Sequence, residues 1–251
     1  MDGGLRGKTA IVTGAGTGIG AAAARMLARE GASVMITGRR EELLRSLKSE
    51  IEAFGGVCRF LSGDMADDDF LERLVDEASG EFGHVDILVC SAGMALRAPT
   101  MDMRKEQWDQ VMRVNLWAPV RLSQICIGRF KCQGTGGKIV YVSSTAGKNI
   151  NLGASPSYGA SKAGLLYMVR HLAREFAADG IYVNAVCPGP VDTEITATWT
   201  PEHRKRVLAD LPLGRLGTPE EIAHMIVFLA SPLSDYITGE SVLINGGRFM
   251  E

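Results

Sequence analysis

Tyr158 and Lys162 stand four positions apart in SYGASK, at the start of a helical pattern. Residues at i and i+4 share one face of a helix, so a phenol and an ammonium can point into one cavity and exchange a proton. Taken alone, such a pair more often marks an ordinary amphipathic helix than a site. A second stretch gives it a possible partner: TGAGTGIG, residues 13–20, carries Gly14, Gly16, Gly18 and Gly20 in the spacing GxxxGxG. It is not GxGxxG, because Ile19 occupies the third glycine position of that pattern. Glycine lets the backbone turn sharply off a strand and approach a pyrophosphate, whose charge is met by N–H groups at a helix N-terminus.

The elements that must position these residues follow from hydrophobic period and glycine punctuation. Short apolar, β-branched runs at 8–13, 33–37, 57–61, 85–90, 138–143, 181–187 and 241–245 read as strands. Between them, 21–30 is rich in helix formers and ends at Gly31, and 41–54 shows helical apolar spacing. Phe70, Leu71, Leu74, Val75, Ala78 and Phe82 outline a third helix; 105–127, 156–177 and 219–229 give further ones, with Pro119 expected to bend or divide the first of these. The 85–90 run is almost continuously apolar, as a strand covered on both faces must be. This alternation predicts an α/β chain: a single-domain, Rossmann-type doubly wound parallel sheet of about seven strands with helices on both faces, spanning 1–251.

Nucleotide choice should be set where the second strand ends. There the chain reads Thr37, Gly38, Arg39, Arg40. A carboxylate for a ribose 2'-hydroxyl is missing, and two guanidiniums can clamp a phosphate, so NADP(H) is expected over NAD(H). The alternative is that Arg39 and Arg40 simply open a solvated helix.

With 251 residues, 46% hydrophobic, and a net charge of -2, the chain can bury a sizeable core and has no basic excess to neutralise a nucleic-acid backbone. No run approaches the ~18 apolar residues of a membrane span, and the N-terminal residues lack a secretory pattern, so a cytoplasmic protein is expected. Cys58, Cys90, Cys126, Cys132 and Cys187 are scattered without CxxC spacing and read as reduced thiols. The four histidines show no ligand spacing, so no metal is expected.

With both motifs placed, the chain resembles the classical short-chain dehydrogenase/reductase family over essentially its full length. SAG at 91–93, RVNLWAP around Asn115, SSTAG at 143–147, NAVCPGPVDT at 184–193 and a closing YITG...NGG fall in the family's order. The resemblance implies that Gly14, Gly18 and Gly20 approach the pyrophosphate, flanked by Thr17 and Ile19. Asp64, beside Met65, would accept from the adenine amino group, and Ser91, Ala92 and Gly93 would lie near the adenine-side ribose. Tyr158 would exchange the proton and Lys162 would bind the nicotinamide ribose and hold the phenol's pKa down. Ser144 would bind the substrate oxygen, and Asn115 would support a proton-relay water. Pro188, Gly189, Val191 and Thr193 would meet the nicotinamide end; by itself, Thr193 reads as a helix cap. Lowering a phenol from ~10 to near neutrality takes about 4 kcal/mol, which an ammonium ~4 Å away at an effective dielectric of ~20 can supply.

Two departures stand out. Ser91 replaces the asparagine usual in the SAG-like motif, which could weaken a hydrogen bond near the central strand. Ser144 lies fourteen residues before Tyr158, one more than the commonest spacing, which leaves Thr145 as an alternative.

Loops at the strands' carboxyl ends are the expected substrate walls: 94–99, 148–155 and 190 to about 213. Met94, Leu96, Ile150, Leu152 and Trp199 suggest a partly hydrophobic ketone or secondary alcohol, with Trp199 as a lid. Arg97, His203 and Arg204 would suit an anionic or carrier-linked substrate. The expected activity is hydride transfer between nicotinamide and a small-molecule ketone or secondary alcohol, with a 3-oxoacyl thioester as one candidate. The alternatives are an NAD-dependent sugar or polyol dehydrogenase and a non-catalytic nucleotide-binding sensor. The family resemblance also implies a homo-oligomer, a tetramer.

Overall fold

The computed structural model describes residues 3–96 and 98–251, the Ile195 side chain excepted. In chain order it runs β1 Thr9–Thr13, α1 Gly18–Arg29, β2 Ser33–Gly38, α2 Glu41–Ala53, β3 Val57–Ser62, α3 Asp68–Phe82 and β4 Ile87–Cys90. It continues with α4 Lys105–Met112, α5 Ala118–Gln133, β5 Gly137–Val142, α6 Pro156–Phe176, β6 Ile181–Pro188, α7 Glu194–Ala197, α8 Pro201–Ala209, α9 Pro219–Ala230 and β7 Ser241–Ile244. The strands form one sheet in the order β3-β2-β1-β4-β5-β6-β7, and every pair is parallel.

Strand alternation divides the core into two layers. Ala10, Val12, Val34, Ile36, Ile87, Val89, Val140 and Val142 face α1, α2 and α9; Ile11, Met35, Leu88, Cys90, Ile139 and Tyr141 face α3, α5 and α6. Both faces are covered, which is why the strands read as continuous apolar runs. The strand order reverses between β1 and β4, with Thr13 opposite Cys90 at their carboxyl ends. A crevice at that reversal is where such sheets hold ligands.

Two expectations need correction. The helix expected to bend or divide at Pro119 instead runs on through a π-helical turn, Arg113–Trp117, in which the Ala118 N–H returns to the Arg113 carbonyl. Pro119 then sits in the first turn of α5, where its missing N–H costs least; the extra residue of the π turn absorbs the mismatch. The 190–213 segment is not a plain loop, because it contains α7 and α8. α7 has only 4 residues and α8 buries only Val207, so neither has a readable apolar period. The available signal was Thr200 as N-cap, accepting from the His203 N–H, with Pro201 following.

Candidate active site

The glycine loop is shaped by contacts that leave no room for side chains. Gly14 has φ 66°, and a Cβ there would lie 2.7 Å from the Ala92 backbone; one on Gly20 would lie 2.4 Å from the Gly14 carbonyl oxygen. The turn therefore folds back on itself and against the end of β4. Thr13 fixes that junction, its hydroxyl accepting from the N–H groups of Ser91 (3.1 Å) and Ala92 (3.0 Å). Because backbone groups make this link, the serine at 91 does not interrupt it. The α1 N-cap, Thr17, makes no side-chain capping bond, and the first turn carries no acidic residue, so its N–H groups and positive dipole end face the crevice. A backbone cradle beside an uncapped helix start fits a dinucleotide pyrophosphate.

The second half of the site forms where β5 meets α6. Gly147 ends a 3₁₀ turn, Thr145–Gly147, and a Cβ on it would lie 2.8 Å from the Lys162 carbonyl carbon. That close approach, with the Ser143 hydroxyl donating to the Lys162 carbonyl at 3.0 Å, presses the end of β5 onto α6. The Ser144 hydroxyl accepts from the Ala146 N–H at 3.1 Å. Of the two hydroxyls that residue counting left open, Ser144 is the one that acts on the Tyr158 phenol, lowering its pKa against the effect of burial.

Lys162 is only 5% exposed, and its ammonium donates to the Val142 carbonyl at 2.8 Å. Burial lowers its pKa from 10.5 to about 8, against weaker raising by Cys187 and Cys90. Burial raises the Tyr158 pKa and Ser144 opposes it; the Lys162 ammonium lies 5.8 Å from the ring centroid.

Asn115 lies in the π turn and is fully buried. Its Oδ1 accepts from the Met94 N–H at 2.8 Å; its Nδ2 donates to the Met94 carbonyl at 2.8 Å and to the Ser161 hydroxyl at 3.2 Å. It clamps the wall segment after β4 to α6. A Cβ on Gly93 would lie 3.4 Å from Asn115 Oδ1 and 3.5 Å from Lys162 Nζ, so the SAG segment brings the glycine-loop side and the tyrosine side together.

Other expected site residues are spread around the rim. Asp64 is exposed and accepts from the Ala66 N–H, with Met65 buried behind it. Ile19 packs on the core layer under α1. Pro188 ends β6, the Gly189 N–H donates to the Ile244 carbonyl, and Val191 bridges to Gly217. Thr193 is the N-cap of α7, as its bland reading had it. Arg39 is exposed and has no partner among the described residues, whereas Arg40 is engaged by Glu194 and Thr17. The Leu96 carbonyl accepts from the Ser155 N–H, Ile150 and Leu152 project into solvent, and Trp199 packs edge-on against His203 at 4.8 Å. Arg97 lies outside the described residues. Arg204 reaches Asp192 at 3.6 Å. Among the described residues no group of His, Cys, Asp and Glu is gathered that could hold a metal, and no helix is long and apolar enough to cross a membrane.

Thr13, Ser161, the Val142 carbonyl and Glu194 escaped the sequence reading. Each acts by supporting another residue, and only Glu194, opening a helix after a Thr cap, left a local signal.

Residues 14–248 match the family model described as Enoyl-(Acyl carrier protein) reductase. The chain is 38% identical to the 3-oxoacyl-acyl-carrier-protein reductase FabG of Vibrio cholerae over 98% of its length and 99% of that protein's. The FabG of Thermotoga maritima is also 38% identical, over 97% and 98%. A short-chain type dehydrogenase/reductase from Mycobacterium marinum superposes with a TM-score of 0.95 at 32% identity, covering 99% of this chain and 98% of that one. A dehydrogenase/reductase from Sinorhizobium meliloti gives 0.93 at 34%, with the same coverage. With the glycine cradle at the sheet's reversal point and Ser144, Tyr158 and Lys162 gathered where β5 meets α6, these likenesses lead to one conclusion: the chain belongs to the short-chain dehydrogenase/reductase family, nicotinamide-dependent oxidoreductases acting on CH–OH/C=O groups.

Proposed function

We propose that the protein is an NADP(H)-dependent ketone reductase whose substrate is a 3-oxoacyl thioester, with residues 1–251 working as one domain in the cytoplasm. The observation that carries this is the meeting of Ser144, just past β5, with Tyr158 and the buried Lys162 of α6, where Gly147 and the Ser143–Lys162 hydrogen bond press the two elements together. Two adjacent hydroxyls offer two donors to one oxygen, as a carbonyl becoming an alkoxide requires. The likeness to 3-oxoacyl-acyl-carrier-protein reductases supplies the acyl-thioester class. The name of the family model speaks of enoyl thioesters; the paired hydroxyls favour the ketone over a carbon–carbon double bond, which has no oxygen to protonate.

In this reading a bound dinucleotide supplies the hydride and, once oxidised, a positive charge. Gly14, Gly18 and Gly20 cradle its pyrophosphate, Asp64 and the SAG segment border its adenosine, and Val191 and Thr193 face its nicotinamide end. Ser144 orients the substrate oxygen, Tyr158 gives it a proton as the carbonyl carbon receives the hydride, and Lys162 replenishes the phenol. Asn115 keeps Met94 in place and, with Pro119 supplying no i+4 N–H to its backbone carbonyl, would support a relay water.

Arg39, exposed and without a partner among the described residues, supports the NADP(H) choice, since a guanidinium recognises a phosphate through a fork of donors. We expect Arg39→Ala to raise KM for NADPH about tenfold and to leave KM for NADH within twofold, read in a coupled assay with a 3-oxoacyl thioester. NADH turnover on sugars or polyols with no effect of Arg39→Ala would favour the alternative dehydrogenase, a reading that the engagement of Arg40 by a carboxylate keeps in play. Nucleotide binding without turnover on any ketone or alcohol would favour the sensor.

We also propose a tetramer. The outer face of α6 carries Tyr167, 61% exposed and stacked on His171, an exposed aromatic pair among charged residues that suits a second copy. Sedimentation at micromolar protein should give four times the chain mass; a monomer would reject the assembly.

A further inference from the structure

Arg40 follows β2, Thr17 caps α1 and Glu194 opens α7, and their three side chains meet at the adenosine side of the glycine loop. The Arg40 guanidinium grips the Glu194 carboxylate with both ends of its fork, Nη2 to Oε2 at 2.8 Å and Nη1 to Oε1 at 3.4 Å. The Thr17 hydroxyl donates to the same Oε2 at 3.3 Å and accepts from Arg40 Nη2 at 3.4 Å. An anion is thus already bound, from within the chain, by the guanidinium and helix start that a nucleotide phosphate would use.

We propose that Glu194 is a specificity-determining residue: its carboxylate competes with the cofactor's 2'-phosphate for Arg40, and a phosphate bound there uncouples the start of α7 from the glycine loop. The idea rests on the reading of Arg39 and Arg40 as a 2'-phosphate site. The pair is half exposed, 52% and 57%, so it is weak enough to open. A phosphate brings more acceptor oxygens and more charge than a carboxylate and displaces it, although a nearby carboxylate both occupies the donors and repels the newcomer. Preference for NADP(H) is then the balance between the exposed Arg39 and the contested Arg40.

Calorimetric titration with adenosine 2',5'-bisphosphate and with 5'-AMP isolates the 2'-phosphate without any turnover. In Glu194→Gln, which keeps the size and removes the charge, the bisphosphate should bind about five- to tenfold tighter while 5'-AMP stays within twofold. In an Arg40→Ala background the same substitution should change the bisphosphate less than twofold. Equal tightening of both ligands, no tightening, or full tightening without Arg40 would overturn the competition. The two readings separate: a wild type that favours 5'-AMP, reversed by Glu194→Gln, rejects the NADP(H) preference and keeps the competitor. A wild type that favours the bisphosphate, with Glu194→Gln silent, does the opposite.

Discussion

Tyr158→Phe is expected to lower kcat for ketone reduction by about a thousandfold, while NADPH binding by fluorescence titration changes less than threefold. The substitution deletes one oxygen. Phe keeps the ring where it packs at the first turn of α6, so the helix, the Gly147 contact and the lysine below it stay in place. What disappears is the proton source, the phenol oxygen on which Ser144 acts. The size of the loss follows from what a positioned acid contributes to a transition state, roughly a hundred- to ten-thousandfold. A variant that oxidised NADPH at the wild-type rate with a confirmed ketone would remove the tyrosine from the chemistry, and with it the proposed function.

Lys162→Met should separate activity from stability. Turnover falls by a similar factor, because Lys162 is the group proposed to return a proton to the phenol. Stability moves the other way at neutral pH. The folded-state pKa of Lys162, about 8, lies below its unfolded value near 10.5, so the charged form is disfavoured by folding. Between these values the unfolded chain binds the extra proton, and the lysine-bearing protein therefore gains stability as pH rises through that window. The gain from pH 7 to 10.5 is about 3 kcal/mol. The buried thiols act in the opposite sense: Cys58 and Cys126, raised to about 12, and Cys187, raised to about 11, keep protons in the folded state above pH 9 that the unfolded chain sheds. Wild type alone would mix these trends. Denaturant unfolding of wild type and Lys162→Met in parallel cancels the thiols, and the difference should shift by about 3 kcal/mol in favour of wild type from pH 7 to 10.5. A pH-independent difference would mean that Lys162 is not held at a depressed pKa.

The two substitutions probe one arrangement from opposite ends. Tyr158 lies at the mouth of the site and Lys162 a helical turn below it, against the Val142 carbonyl. The chain alone leaves the phenol with a raised pKa, because burial disfavours the phenolate. The i+4 spacing put both groups on one face, but only the depth of burial decides how strongly one acts on the other.

How much was legible in advance divides along the same line. Strand and helix types came from period: seven apolar runs gave seven strands, with borders differing by one or two residues where end residues lack paired neighbours. The glycine loop was legible because sterics act locally: a Cβ at Gly14 or Gly20 collides within the turn or with the strand beside it. α7 and α8 were not legible, since a helix that buries one residue leaves no period to read. The Arg40–Glu194 contact spans 154 residues and could not be seen from either end.

For Tyr158 and Lys162, the chain's order of residue types determined that a phenol and an ammonium share a helix face after a nucleotide loop, because helical period and glycine sterics are local properties. Tertiary structure decided the rest. It pressed Gly147 onto α6, turned Lys162 toward Val142, and placed Glu194 on the guanidinium expected to hold a phosphate. Each of these depends on how far apart two segments lie in space and how much water remains between them, quantities set by packing across the sheet rather than by spacing along the chain.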